Sequence, residues 1–247
     1  MINVCCVFYG DKYSVDYVQR LYNMVQRHLT IPHKFYCFTD HKNLFDKVYG
    51  NIIYKPFNKK DLLGWWNKLQ LFNPEELEGI NLYLDLDIVI TKNIDCFATY
   101  GDDNSFCILN DFEPKVKEYN SSIMKFNNKT ASIIWKEYME KHFSILHVKF
   151  DDDIAAIIYK EYREKFSNLK YYFSDQQVIT DVMYDRPELK LFPNEWSFSY
   201  KWYSREKPRF HISEQTYEED KNAKIAVFHG KPDPHESKQE WVKDNWK

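Results

Sequence analysis

The decapeptide LYLDLDIVIT, residues 82–91, constrains the fold of this 247-residue chain more than any other segment. It is apolar and rich in β-branched residues, the composition of a strand buried on both faces. Yet it carries Asp85 and Asp87 two residues apart. In an extended strand such a pair shares one face, roughly 6.5 Å apart along the chain. Two carboxylates at the end of a buried strand repel each other and lose hydration, so a counter-charge must compensate them. A divalent cation is the usual one. The alternative is a turn just after the strand, with both carboxylates solvated.

The segments around this run alternate between strand and helix patterns. NVCCVFYG (3–10) reads as a buried strand. From Val15 the apolar positions Val18, Leu21, Tyr22, Val25 and Leu29 follow helical spacing, which Pro32 ends. KFYCFTD (34–40) and NIIYKPF (51–57) read as further strands, and Trp65 to Phe72 as a helix closed by Pro74. In the second half, FCILND (106–111), NSSIMKF (120–126) and AKIAVFHG (223–230) read as strands. Residues 130–143, 153–166 and 174–184 read as helices, the last beginning at Ser174 or Asp175. Strand, helix, strand in repetition predicts an α/β fold with a largely parallel sheet flanked by helices. Ligands bind such sheets outside the carboxyl ends of the strands, where Asp40, Asp85 and Asp87 fall.

Composition excludes several functions. A formal charge of −3 with dispersed Lys and Arg is wrong for a nucleic-acid binder that works by phosphate neutralisation. Only 6 glycines occur, and neither GxGxxG nor GxxxxGK[ST] is present, so a nucleotide must be held by other means. The five cysteines form no CxxC pair, and Cys5, Cys6 and Cys37 sit in apolar runs, as small core residues do in a reducing compartment. No apolar run approaches ~20 residues and MINVCCVFYG lacks a basic leader region, so the expectation is a cytoplasmic protein with no membrane span.

Five segments, in order, resemble the GT-A glycosyltransferases, in particular retaining glycosyltransferase family 8 and putative sugar transferases of bacteria and their phages. LYLDLDIVI is similar to the family's metal-binding segment. WNKLQLF (66–72) resembles its helix with a donor-contacting lysine, here Lys68. YNSSIMKF (119–126) matches an FNSGV-type segment, giving Asn120 and Ser121. SDQQVIT (174–180) matches the DQ segment, giving Asp175 and Gln176. VFHGKPDP (227–234) matches a late HxxGxxKPW-type segment, giving His229, Gly230 and Lys231. Two positions depart from the pattern: Ser122 replaces a glycine, and the tryptophan after Lys-Pro is missing.

The resemblance implies one GT-A domain, Rossmann-like with a smaller acceptor-side subregion, residues 1–100 forming a nucleotide-binding half and 101–247 a sugar and acceptor half. It implies Mn²⁺ or Mg²⁺ held by Asp85, Asp87 and His229, a ligand set that suits a hard cation bridging two phosphates. Lys231, beside Gly230, would place a positive charge at the leaving diphosphate. Tyr9 or Tyr13 would stack on the base, with Thr39 and Asp40 in polar contact with it. Lys68 would contact the donor as a phosphate or carboxylate partner, and Asp111, Asn120, Ser121, Asp175 and Gln176 would surround the sugar, Asp111, Asp175 and Gln176 nearest the reacting centre. Trp65 and Trp66 read as packing residues. The implied activity is transfer from a nucleotide sugar, a UDP-sugar favoured, to a glycan or other hydroxyl acceptor, with retention and no obligatory protein nucleophile. Two other readings stay open: a sugar nucleotidyltransferase, which normally opens with a glycine-rich loop where YGDKYS stands here, and a carbohydrate-binding protein without catalysis.

Overall fold

A computed structural model of the protein describes residues 1–41, 48–60, 62–112, 118–140, 172, 174–200 and 223–247. Its centre is a seven-stranded sheet in the order β3-β2-β1-β4-β7-β6-β8. β1 (Ile2–Phe8), β2 (His33–Thr39), β3 (Ile52–Pro56) and β4 (Ile80–Leu84) run parallel. β7 (Tyr119–Asn127) is antiparallel to both β4 and β6 (Phe106–Asn110), and β8 (Leu189–Leu191) is parallel to β6. A second sheet of three strands joins β5 (Ile88–Ile90), β10 (Ile225–Val227) and β9 (Ser197–Ser199).

Strand alternation divides the core between the two faces of the large sheet. Val4, Cys6 and Phe8 of β1 pack on one side with α1 (Asp16–His28) and the small sheet. Cys5 points to the other side, against the segment Gly64–Phe72, α3 (Asn128–Glu140) and α4 (Asp175–Met183). α1 buries Tyr17, Val18, Leu21, Met24 and Val25, one stripe of a 3.6-residue period. Asp16 in its first turn and Arg27 and His28 in its last complement the helix dipole. Cys5, Cys6, Cys37 and Cys107 are buried free thiols, as core cysteines should be.

The structure corrects the opening expectation. LYLDLDIVIT is two strands, not one: β4 ends at Leu84 and β5 begins at Ile88, in a different sheet. Asp85, Leu86 and Asp87 form the turn between them. The break has a local cause. The β6–β7 pairing slips between Ile108 and Leu109, which pair with Met124 and Asn120, so β7 bulges around Ser121 and Ser122. The Asp85 N–H still donates to the Ser122 carbonyl at 2.9 Å, but the next bond crosses to the small sheet, where the Phe228 N–H donates to the Asp87 carbonyl at 3.0 Å.

The helix expected over Trp65 to Phe72 is present as a 3₁₀ helix, Gly64–Phe72. Asn67 explains the tight winding, since its side-chain amide donates to the carbonyls of Leu62 (3.0 Å) and Gly64 (3.2 Å). The helix predicted over 130–143 is α3, whose residues 141–143 fall outside the described part, as does all of 153–166. β8, β9, α2 (Asp95–Thr99) and α5 (Glu240–Asn245) were not predicted. Among the described residues no helix is long and apolar enough to cross a membrane.

Candidate active site

The carboxyl end of β4 and the bulge in β7 converge on one buried cation. Lys68 Nζ lies 3.2 Å from Asp85 Oδ1 and 3.1 Å from Asp175 Oδ2, and donates to Ser121 Oγ at 3.0 Å. Ser121 Oγ donates in turn to Asp175 Oδ2 at 2.6 Å, and the Ser121 N–H donates to Gln176 Oε1 at 3.2 Å. Each element has its own reason to be there. The 3₁₀ helix carries Lys68 inward. The bulge turns Ser121 out of the ladder. The Ser174 side chain caps α4 by accepting from the Gln177 N–H, which leaves Asp175 in the first turn free to face Lys68. Burial by itself would lower the Lys68 pKa, but Asp175 and Asp85 outweigh it and hold the amine above its ordinary value.

Asp85 has a partner that the sequence reading did not single out. Tyr83, fully buried, donates its hydroxyl to Asp85 Oδ1 at 2.5 Å, and its ring lies 5.2 Å from Lys68 Nζ. Burial and then the Asp85 charge push the Tyr83 phenol well up, so it remains a donor. Strand period 2 puts residues 83 and 85 on one side, the sequence signal that points to this pair.

Asp87 sits in a different environment. Its Oδ2 accepts from Tyr13 at 2.7 Å. Burial, then repulsion from Asp85, raise its pKa to about 7, against the lowering effect of Tyr13, Lys12 and Lys68. This carboxyl therefore lacks the cation that Lys68 gives its neighbour. The Tyr13 ring is not a bare platform: it stacks on Tyr17 at 4.5 Å and carries Lys12 Nζ 4.4 Å from its centroid. Tyr9 is partly exposed, 6.0 Å from Phe57. Thr39 is buried at the end of β2, accepting from the His41 N–H, and exposed Asp40 accepts from the Gly10 N–H. Tyr9, Thr39 and Asp40 thus lie at the carboxyl ends of β1 and β2, and Tyr13 reaches the Asp85–Asp87 turn.

The remaining candidates come from β6, β7 and the segment after β10. Asn120 is buried, its Oδ1 accepting from the Ser122 N–H at 3.1 Å, which shapes the bulge. Asp111 follows β6 directly, and its neighbour Phe112 stacks on the His229 ring (5.6 Å, 3°). His229 follows Phe228, which is bonded to Asp87, but its Nε2 lies 2.5 Å from Ser199 Oγ. Among the described residues no three His, Cys, Asp or Glu side chains are grouped as a metal cage. Gly230 has φ +78, a conformation that favours glycine. Lys231 is exposed and ion-paired with Asp233 (2.7 Å) and Glu236 (3.1 Å), which raise its pKa. Ser199 was marked by no sequence signal, whereas DPHE (233–236) has the spacing of a capping box, which forms here.

A mixed sheet with one reversed strand, a carboxylate turn at the end of β4 and a small second sheet make up the GT-A fold of glycosyltransferases. Solved structures share it. The galactosyltransferase LgtC, solved with donor and acceptor sugar analogs, is 13% identical with a TM-score of 0.58, the match covering 98% of this chain and 96% of that one. The glycosyltransferase GlyE from Streptococcus pneumoniae TIGR4 is 13% identical with a TM-score of 0.58, covering 98% of this chain and 61% of that one. The bifunctional WbbM is 14% identical at 0.59, covering 94% of this chain and 46% of that one. The chain thus spans less than two thirds of GlyE and of WbbM. At such identities the likeness establishes the fold. No protein-family model and no curated protein matches the sequence.

Proposed function

We propose that the protein is a glycosyltransferase that moves a sugar from a nucleotide-sugar donor to a hydroxyl of a glycan or related acceptor. One observation carries the reading: a buried lysine held by Asp85, Asp175 and Ser121, drawn from four separate segments, at the carboxyl end of β4 in a GT-A fold. Its donors and acceptors stand fixed before any ligand arrives, as a site for sugar hydroxyls requires. Asp175 Oδ2 is tied to both Ser121 and Lys68, which makes it a poor nucleophile, so a retaining transfer at this site would proceed without a covalent protein intermediate. Gln176 accepts from the Ser121 N–H and, with Asp111 after β6, would orient the reacting groups.

Tyr9, Tyr13, Thr39 and Asp40 would form the base site, and a UDP-sugar is the favoured donor. Mn²⁺ or Mg²⁺ would suit the turn, because burial and the neighbouring Asp85 outweigh Lys12 and Lys68 and leave Asp87 a carboxyl that a cation would stabilise. Asp85, Asp87 and His229 would hold the ion, His229 after turning from Ser199, and the ion would supply positive charge for the leaving diphosphate. Lys231 would add to that charge on exchanging Asp233 and Glu236 for phosphate.

The test is nucleoside diphosphate release from a panel of UDP-, GDP- and TDP-sugars, with Mn²⁺ or with EDTA, and with a set of mono- and disaccharide acceptors. Turnover with one base, lost in EDTA, is expected. No turnover of any donor, together with no thermal stabilisation by any nucleoside diphosphate plus Mn²⁺, would overturn the reading.

A further inference from the structure

The two adjacent tryptophans of GWWNKLQLF have opposite fates. Trp66 is buried, whereas Trp65 is 53% exposed, next to Leu63 at 46%. Large apolar side chains usually leave water, so an exposed indole on a rigid element points to a ligand. The element here is rigid. Asn67 bonds the Leu62 and Gly64 carbonyls, its Oδ1 accepts from Gln70 at 2.8 Å, and Gln70 bonds both the N–H and the carbonyl of Lys59. Asn67 and Gln70 are buried, and what their amides hold in place is the turn that presents Leu63 and Trp65 to solvent.

The position of Trp65 narrows the ligand. Residues three apart eclipse in a 3₁₀ helix, about 6 Å apart along its axis. Trp65, Lys68 and Leu71 therefore form one row. Leu71 lies in the core, Lys68 holds Asp85, Asp175 and Ser121, and Trp65 stands at the surface one turn above. An indole one turn outside a sugar-hydroxyl cluster matches a second pyranose, whose C–H face is apolar while its edges are polar.

We infer that Trp65, with Leu63 beside it, is the stacking platform for a pyranose ring of the acceptor. This rests on the glycosyltransferase reading, which leaves the acceptor site without residues. The two are tested separately. Saturation-transfer NMR of the whole protein with a panel of methyl pyranosides and simple disaccharides needs no donor. At least one of these sugars is expected to receive magnetisation on its ring C–H protons from wild type. The signal is expected to vanish in Trp65→Ala and persist in Trp65→Tyr. With a donor that is turned over, the same sugar as acceptor should show a KM raised about tenfold in Trp65→Ala, and a donor KM that moves far less. Equal signals in wild type and Trp65→Ala, or no signal from any sugar, would overturn the platform even if donors are turned over. Failure of every donor while the Trp65-dependent signal stands would sink the transferase reading alone. A wild-type dimer that Trp65→Ala converts to monomer, with unchanged sugar signals, would assign the face to a contact between copies.

Discussion

Removing the Lys68 amine should unfold the site from within. Its side chain is 8% exposed, that of Asp175 5% and that of Asp85 21%, so neither carboxylate can recover full hydration. Breaking a buried ion pair by deleting one partner costs about 3–5 kcal/mol, because the surviving charge is stranded. Lys68→Met keeps most of the side-chain volume and strands two carboxylates, so a loss of about 4 kcal/mol is expected. Asp175→Asn leaves Lys68 paired with Asp85 and can still accept from Ser121, so about 1–2 kcal/mol is expected. The double variant removes the more buried stranded charge along with its partner, and should lose about 3 kcal/mol, well short of the sum. Urea titration with a constant m-value measures all three. Effects that add within about 0.5 kcal/mol, or a Lys68→Met loss below 1 kcal/mol, would refute the claim that the cluster is one buried electrostatic unit.

Other outcomes follow from neighbouring groups. The Asp87 pKa is raised on folding, from 3.8 to about 7, so its contribution is fully present below the unfolded value and is lost as pH rises through about 7. In metal-free buffer Asp87→Asn should therefore be more stable than wild type at pH 8, by about 1–2 kcal/mol since water reaches part of the group, and the difference should shrink steadily as pH falls toward 3.8. A thermal-melt series in EDTA across that range decides it, and a less stable variant at pH 8 contradicts it. Tyr83→Phe deletes the donor to Asp85 and should cost about 1–2 kcal/mol by urea titration. Glu236→Gln removes one of two carboxylates on Lys231, and nucleoside diphosphate affinity by calorimetry should rise a fewfold, an effect that fades as salt screens the exposed pair.

The central elements were legible because burial on both sheet faces leaves a plain pattern. NVCCVFYG and the stripe Val18, Leu21, Val25 gave β1 and α1 within a residue or two, and Ser174 marked the start of α4 through its cap. The break at Asp85 was not legible, since apolar alternation runs straight across it. What ends the strand is the bulge in β7, some 35 residues away. The three-residue strands β8 and β9 are defined by their partners rather than by their own composition. The site shows the same division. The sequence named Lys68, Asp85, Ser121, Asp175 and Gln176 one by one, and the fold joins them. It gave no hint that Lys231 faces Asp233 and Glu236, or that His229 meets Ser199, because short-range ion pairs and hydroxyl partners leave no periodicity.

The small sheet makes the site sensitive to insertion and deletion in an uneven way. β10 is only three residues long, yet it is locked on both sides, with Val227 opposite Ile88 and also opposite Ser199. Phe228 turns into the core to stack on Tyr200 at 4.0 Å, and His229 turns the other way, toward Ser199 and Phe112. Deleting one residue from 225–227 would move His229 into the register position of Phe228, sending an imidazole into an aromatic pocket and leaving Gly230 where the imidazole stood. Within this segment a change of length therefore does more damage than most changes of side chain, and lineages carrying the site should preserve its residue count more strictly than its residue identities.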